Sequence, residues 1–151
     1  MILYFSKRFF LALAIVFFSI TSLFSQEISE SSIKSYWENN PVLKNEGFYR
    51  FTKQMSGINY KLETKLALVF DEESKYYVLI YLNGYVSNLW KSGDFHAILK
   101  PTSEENKFVV EYTYYDKTSI NYNWFCEIVG DEIKMYNEDR NYLFSYYKLD
   151  F

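Results

Sequence analysis

The stretch from Lys107 to Leu149, "KFVVEYTYYDKTSINYNWFCEIVGDEIKMYNEDRNYLFSYYKL", decides the fold of this chain. It holds four runs rich in Tyr, Phe, Val and Ile, the residues that suit a pleated, half-buried surface, separated by "DKTS", "GD" and "NEDR". Each separator is a turn spelling, so the runs read as consecutive antiparallel strands. Side chains alternate between the two faces of a strand, and a one-residue slip moves every side chain to the wrong face. Pairing Asp116 with Ile120 sets Phe108 against Ile128, Val110 against Cys126, Tyr112 against Trp124 and Tyr114 against Tyr122. A two-residue turn at Gly130-Asp131 sets Ile128 against Ile133 and Cys126 against Met135. A turn over Asn137 to Arg140 sets Met135 against Tyr142 and Ile133 against Phe144, and pairing Lys100 with Lys107 brings in Phe95, Ala97 and Leu99. Four hairpins agree on one inner face, which leaves Asp94, His96, Ile98 and Lys100 pointing outward.

Upstream the same spelling continues in Phe48–Lys53, Tyr60–Phe70, Lys75–Leu82 and Phe95–Lys100, separated by the turn spellings "DEES", "NG" and "KSGD". Eight short strands without helices between them predict an all-β antiparallel up-and-down meander closing as a small barrel, with a sandwich as the alternative. Before it, "EISESSIKSYWENN" places Ile28, Ile33, Tyr36 and Trp37 on one helical face, with Ser29 or Ser31 as cap and Pro41 as the stop. The expected organisation is a signal peptide over 1–25, a lead-in with a short helix over 26–46, and the β domain over 47–151.

The leader reading rests on Lys7 and Arg8 ahead of the apolar run "FFLALAIVFF" and a serine-containing stretch before a cut after Ser25. The apolar segment is shorter than the roughly 20 residues a membrane span needs. The chain is therefore expected to be exported, to the periplasm or beyond it, with no membrane association after cleavage. Removing 25 of 151 residues leaves 126, enough for one domain with its own core. Without Lys7 and Arg8 the basic count falls from 16 to 14 against 19 acids, a net charge of −5, which argues against a nucleic-acid partner. Cys126 is the only cysteine, so no intramolecular disulfide forms, and its neighbours in "NWFCEIVG" read as a buried strand.

Motifs for chemistry are sparse. Asp94 and His96 share the expected outer face as a base and its orienting carboxylate would, but no Gly-x-Ser-x-Gly nucleophile elbow exists in the chain. One histidine and one cysteine do not make a zinc set, and the acidic pairs fall in predicted turns. Glu111 and Glu127 sit near each other on a convex face rather than in the cleft a glycosidase needs. No catalytic residue, metal site or cofactor is expected. The remaining signal is aromatic: 33 Phe, Trp and Tyr residues, 26 of them after Ser25. In the register above, Phe95, Tyr112, Tyr114, Tyr122 and Trp124 gather at one end of the inner face, and Tyr85 and Trp90 hang over it from the 83–94 loop. Flat rings with polar tips suit stacking on a small hydrophobic or carbohydrate ligand, and the same rings also serve to fill a small barrel.

The order "GFYRF", "YYVLIYLNG", "LWKSGDFHAILKPTS", "FVVEYTYYDK" and "YLFSYYKLDF" resembles a short β-rich domain recurring in secreted bacterial proteins. The meander also resembles calycin-like barrels, the lipocalins and fatty-acid-binding proteins, in which a short helix precedes a Gly-x-Trp at the first strand. Here Gly47-Phe48-Tyr49 offers a tyrosine where that tryptophan would stand. The likeness implies an architecture and transfers no site. The functional expectation is a non-enzymatic binding or interaction module with its ligand at the aromatic end. Alternatives are a structural or assembly component of the cell envelope that binds a protein partner, and a hydrolase using Asp94 and His96.

Overall fold

A computed structural model of the chain describes residues 28–54, 64–84, 89–113, 116–118, 120–140 and 143–150. The expected leader lies outside these, as do Tyr85 and Tyr114.

Helix α1 (Glu30–Asn39) starts at a reciprocal cap in which Ser29 Oγ accepts from the Ser32 amide while Ser32 Oγ accepts from the Ser29 amide. Ile33 and Trp37, one helical turn apart, are its buried residues. Tyr36, expected on that face, is instead 46% exposed, because its step of 100° from Trp37 carries it off the narrow stripe that docks.

Eight strands follow: β1 (Gly47–Gln54), β2 (Lys65–Asp71), β3 (Tyr76–Asn83), β4 (Phe95–Pro101), β5 (Lys107–Thr113), β6 (Ile120–Val129), β7 (Glu132–Asn137) and β8 (Leu143–Lys148). Each pairs antiparallel with the next, and β8 returns to pair with β1, so the meander is a closed barrel rather than a sandwich. Closure removes the sheet edges that would otherwise offer unpaired backbone groups.

The expected pairing of Ile128 with Ile133 and Cys126 with Met135 is present in β6 and β7. At three other hairpins the register lies two residues from expectation: Phe108 opposes Cys126, Leu99 opposes Val110, and Met135 opposes Phe144. A two-residue shift preserves the face of every side chain, so the inner face survives. One-residue irregularities do not preserve it, and two of them matter. Leu79 opposes Ala97 but the next residue, Ile80, opposes Phe95, leaving His96 as an extra residue on β4. Val110 opposes Trp124 while Tyr112 opposes Asn121, so β6 is one residue longer than β5 across Tyr122 and Asn123.

Two cores result. Inside the barrel lie Tyr49, Leu66, Leu68, Leu79, Ala97, Leu99, Val110, Cys126, Ile133 and Met135, each nearly inaccessible to solvent. Burial pushes the Cys126 thiol well above its ordinary pKa, consistent with a small buried hydrophobe. The second core is outside, where Ile33 and Trp37 of α1 cover Phe48, Ala67, Ile80 and Leu82 on the outer wall of β1–β3. This explains a contrast in the sequence. "KLALVF" and "YYVLIYL" are continuous apolar runs because both faces of those strands are buried, whereas β5, β7 and the part of β6 from Trp124 onward alternate because only one face is covered.

Candidate functional site

The end of the barrel that collects the aromatic side chains is built from Phe51 on β1, Tyr81 on β3, Trp90 in the 89–94 segment, Tyr112 on β5, Trp124 on β6, and Phe144 and Tyr146 on β8. Tyr112, Trp124 and Phe144 lie nearly parallel, with interplanar angles of 15° to 29°. Their centroid separations of 5.2, 5.3 and 6.2 Å form a triangle, so no ring is sandwiched between the other two and the three overlap as an offset tier. Trp124 is buried, but Tyr112, Phe144 and Phe51 are only half-buried although they point inward. An inward side chain meets solvent only through the end of a barrel, so this tier borders an accessible mouth.

Of the residues expected here, Trp90, Tyr112 and Trp124 come together. Phe95 and Tyr122 do not: they are 57% and 61% exposed on the outer wall. The reason is the two irregularities. The extra residue at His96 turns Phe95 outward, and the extra residue in β6 does the same to Tyr122. Phe51, Phe144 and Tyr146 were absent from the expected set. The opposite end also carries aromatic rings, with Tyr77 packed between Phe70 and Phe108 at 5.0 and 5.7 Å.

His96 itself is the largest departure. Expected on the outer face beside Asp94, it is inside the barrel and 2% exposed. Its ring meets Trp90 and Tyr112 edge-on at 5.0 Å each, and its Nε2 lies 3.5 Å from the Tyr146 hydroxyl, the outer limit of a hydrogen bond. Nδ1 has no partner among the described residues. Burial lowers the imidazole pKa from 6.5 to about 4, so the ring is neutral near pH 7. Burial likewise raises the Tyr146 phenol far above its ordinary value, which keeps it a hydrogen donor.

Asp94 has other partners. It forms an ion pair with Lys117 and accepts from the Lys91 amide at 2.5 Å. Burial works to raise this carboxyl, and the Lys117 ammonium with the Lys91 amide outweighs it, so its pKa lies below the ordinary value. Lys117 Nζ also sits 5.2 Å from the centre of the buried Trp90 ring, a cation–π contact. The rim therefore runs from Asp94 through Lys117 to Trp90, and Trp90 rests on His96. The carboxylates Glu111 and Glu127 are engaged separately, with Lys100 and with the Tyr136 hydroxyl at 2.8 Å. Among the described residues, no three His, Cys, Asp or Glu side chains gather as a metal site, and no helix is long and apolar enough to cross a membrane.

A second buried polar group lies at the far end. Glu46, just before β1, is 3% exposed and accepts from the amides of Leu43 and Phe70 at 2.8 Å each and from Trp37 Nε1 at 3.4 Å. It ties α1 to β2 and is structural. No family model, curated protein or solved structure matches the chain.

Proposed function

We propose that this chain is an exported, non-enzymatic binding module whose ligand is a small apolar or sugar-like molecule stacked at the aromatic end of the barrel. The observation that carries this reading is the Tyr112–Trp124–Phe144 tier, three near-parallel rings with two of them part-exposed inside a closed barrel. Aromatic faces held rigidly by strands cost little ordering entropy when a flat ligand stacks on them. The separation of Asp94 from His96 argues against the hydrolase alternative, since base and orienter do not meet. The likeness to calycin-like barrels is one of architecture: a short helix precedes the first strand, and Tyr49, standing where those barrels carry tryptophan, enters the barrel from β1 and donates to the Asn45 carbonyl at 2.7 Å.

The test is a thermal-shift screen of sugars and planar apolar compounds, followed by Trp90→Ala and Trp124→Ala variants of the best hit. The variants should lose most of the stabilisation that the wild type gains. A ligand that stabilises both variants as well as the wild type sinks the assignment.

A specific observation also favours a protein partner. The outer wall of β4–β6, which α1 leaves uncovered, exposes Phe95, Ile120 and Tyr122. A Phe95→Ser/Tyr122→Ser double variant that loses an envelope partner while keeping small-ligand binding would favour that reading over the first.

A further inference from the structure

His96 is positioned by the β4 bulge rather than by strand alternation, and its two nitrogens have unequal surroundings. With a neutral ring, one nitrogen donates and the other accepts. If Nε2 carried the proton, the Tyr146 hydroxyl would accept it, and two buried groups would then lack partners: the phenol hydrogen and the Nδ1 lone pair. If Nδ1 carries the proton, Tyr146 donates to Nε2 and only Nδ1–H lacks one. Each unsatisfied buried polar group is costly, so the second arrangement is favoured. The result is a single N–H donor without an acceptor among the described residues, on a ring whose neighbours are Trp90 and Tyr112 at the aromatic end.

Resting on the binding reading above, we propose that the Nδ1–H of His96 is the polar anchor of that site, and that the ligand is a flat, uncharged molecule presenting an acceptor oxygen, such as an aryl ketone. The flat part is set by the Tyr112–Trp124–Phe144 tier. The acceptor is set by the donor that awaits it. The absence of charge follows from the cation at the rim: Lys117 is already committed to Asp94 and to the Trp90 face, so an anion entering this end would be desolvated without a counter-charge.

The test compares two fluorescent probes of the same outline, 6-propionyl-2-(dimethylamino)naphthalene and its 6-propyl counterpart, which lacks the carbonyl. A ketone that satisfies a buried donor should bind about tenfold tighter than the alkyl analogue. His96→Phe, which keeps a ring of similar outline, should bring the ratio to about one. Equal affinity of the two probes for the wild type overturns the anchor role and leaves the site itself standing, the outcome expected if an ordered water already satisfies Nδ1. Failure of both probes to bind the wild type also overturns the anchor, while the site itself is decided by the thermal-shift screen and its Trp90→Ala and Trp124→Ala variants. Long-range nitrogen–proton correlation of the imidazole in the free protein gives a check that needs no variant. The Nδ1–H tautomer supports the proposal, and the Nε2–H tautomer refutes it.

Discussion

Lowering the pH from 7 to 5 should destabilise this protein chiefly through one residue. His96 is the only histidine, and burial holds its pKa at about 4 in the folded chain against 6.5 for a free imidazole. The unfolded chain therefore binds more protons than the folded one between these two values. Stability from this source is complete above pH 6.5, declines as the pH falls, and levels off below pH 4. The full displacement corresponds to about 3 kcal/mol, and the part falling between pH 7 and pH 5 is about 2 kcal/mol. Carboxylates such as Asp94, whose pKa is depressed by Lys117, also withdraw stability in acid, but they do so below the range where the imidazole acts. Urea unfolding followed by tryptophan fluorescence at pH 5, 6, 7 and 8, for wild type and His96→Phe, isolates the contribution of the imidazole. The wild-type free energy should fall about 2 kcal/mol further than that of the variant between pH 7 and pH 5. Curves that run parallel across the range would refute the buried, neutral placement, as would a ring-proton titration centred near 6.5.

Other residues give sharper mechanical tests. Glu46→Ala removes the acceptor shared by the Leu43 and Phe70 amides and Trp37 Nε1, and should cost about 2–4 kcal/mol in urea unfolding, with Glu46→Gln recovering part of it. Trp37→Ala empties the contact between α1 and the outer wall of β1–β3. It should cost about 3–5 kcal/mol and raise hydrogen exchange in α1 above that of β6 and β7. Gly93 has φ +93°, and a Cβ there would lie 2.7 Å from the Ile28 carbonyl oxygen. Gly93→Ala should therefore cost about 1–3 kcal/mol by thermal unfolding, more than an Ala substitution at the unobstructed Gly130.

The barrel was legible in the sequence because its signals are local. Turn spellings at 116–119, 130–131 and 137–140 delimit strands whose apolar residues recur every second position, and each strand pairs with its neighbour in sequence before β8 returns to β1. The position of α1 was less accessible, although a trace of it was present. The unbroken apolar runs of β2 and β3 require a cover on their outer face, and Ile33 with Trp37 is the apolar stripe available to provide it. Glu46 carried no signal of its own. A glutamate ahead of a strand glycine is ordinary, and its burial depends on Phe70, 24 residues away, having an amide in need of an acceptor.

The candidate site was legible only in part, and the reason is parity. Registers two residues from expectation at β4–β5 and β5–β6 left Tyr112 and Trp124 on the correct face, because alternation tolerates even shifts. A single extra residue is not tolerated. At β4 it exchanged the faces of Phe95 and His96, and alternation read outward from Leu99 and Ala97 necessarily gave the opposite assignment for both. The sequence "DFHAILK" contains no glycine to mark a bulge, and the irregularity arises from matching β4 to β3, a nonlocal demand. What remains visible in hindsight is the mismatch itself. An exposed phenylalanine and a buried histidine are each a liability alone, and a fold that accepts both at adjacent positions has placed the polar ring inside at a cost in desolvation. Such a cost at a barrel mouth, beside a tier of half-exposed rings, is what directs attention from the expected outer edge to the interior face of β4.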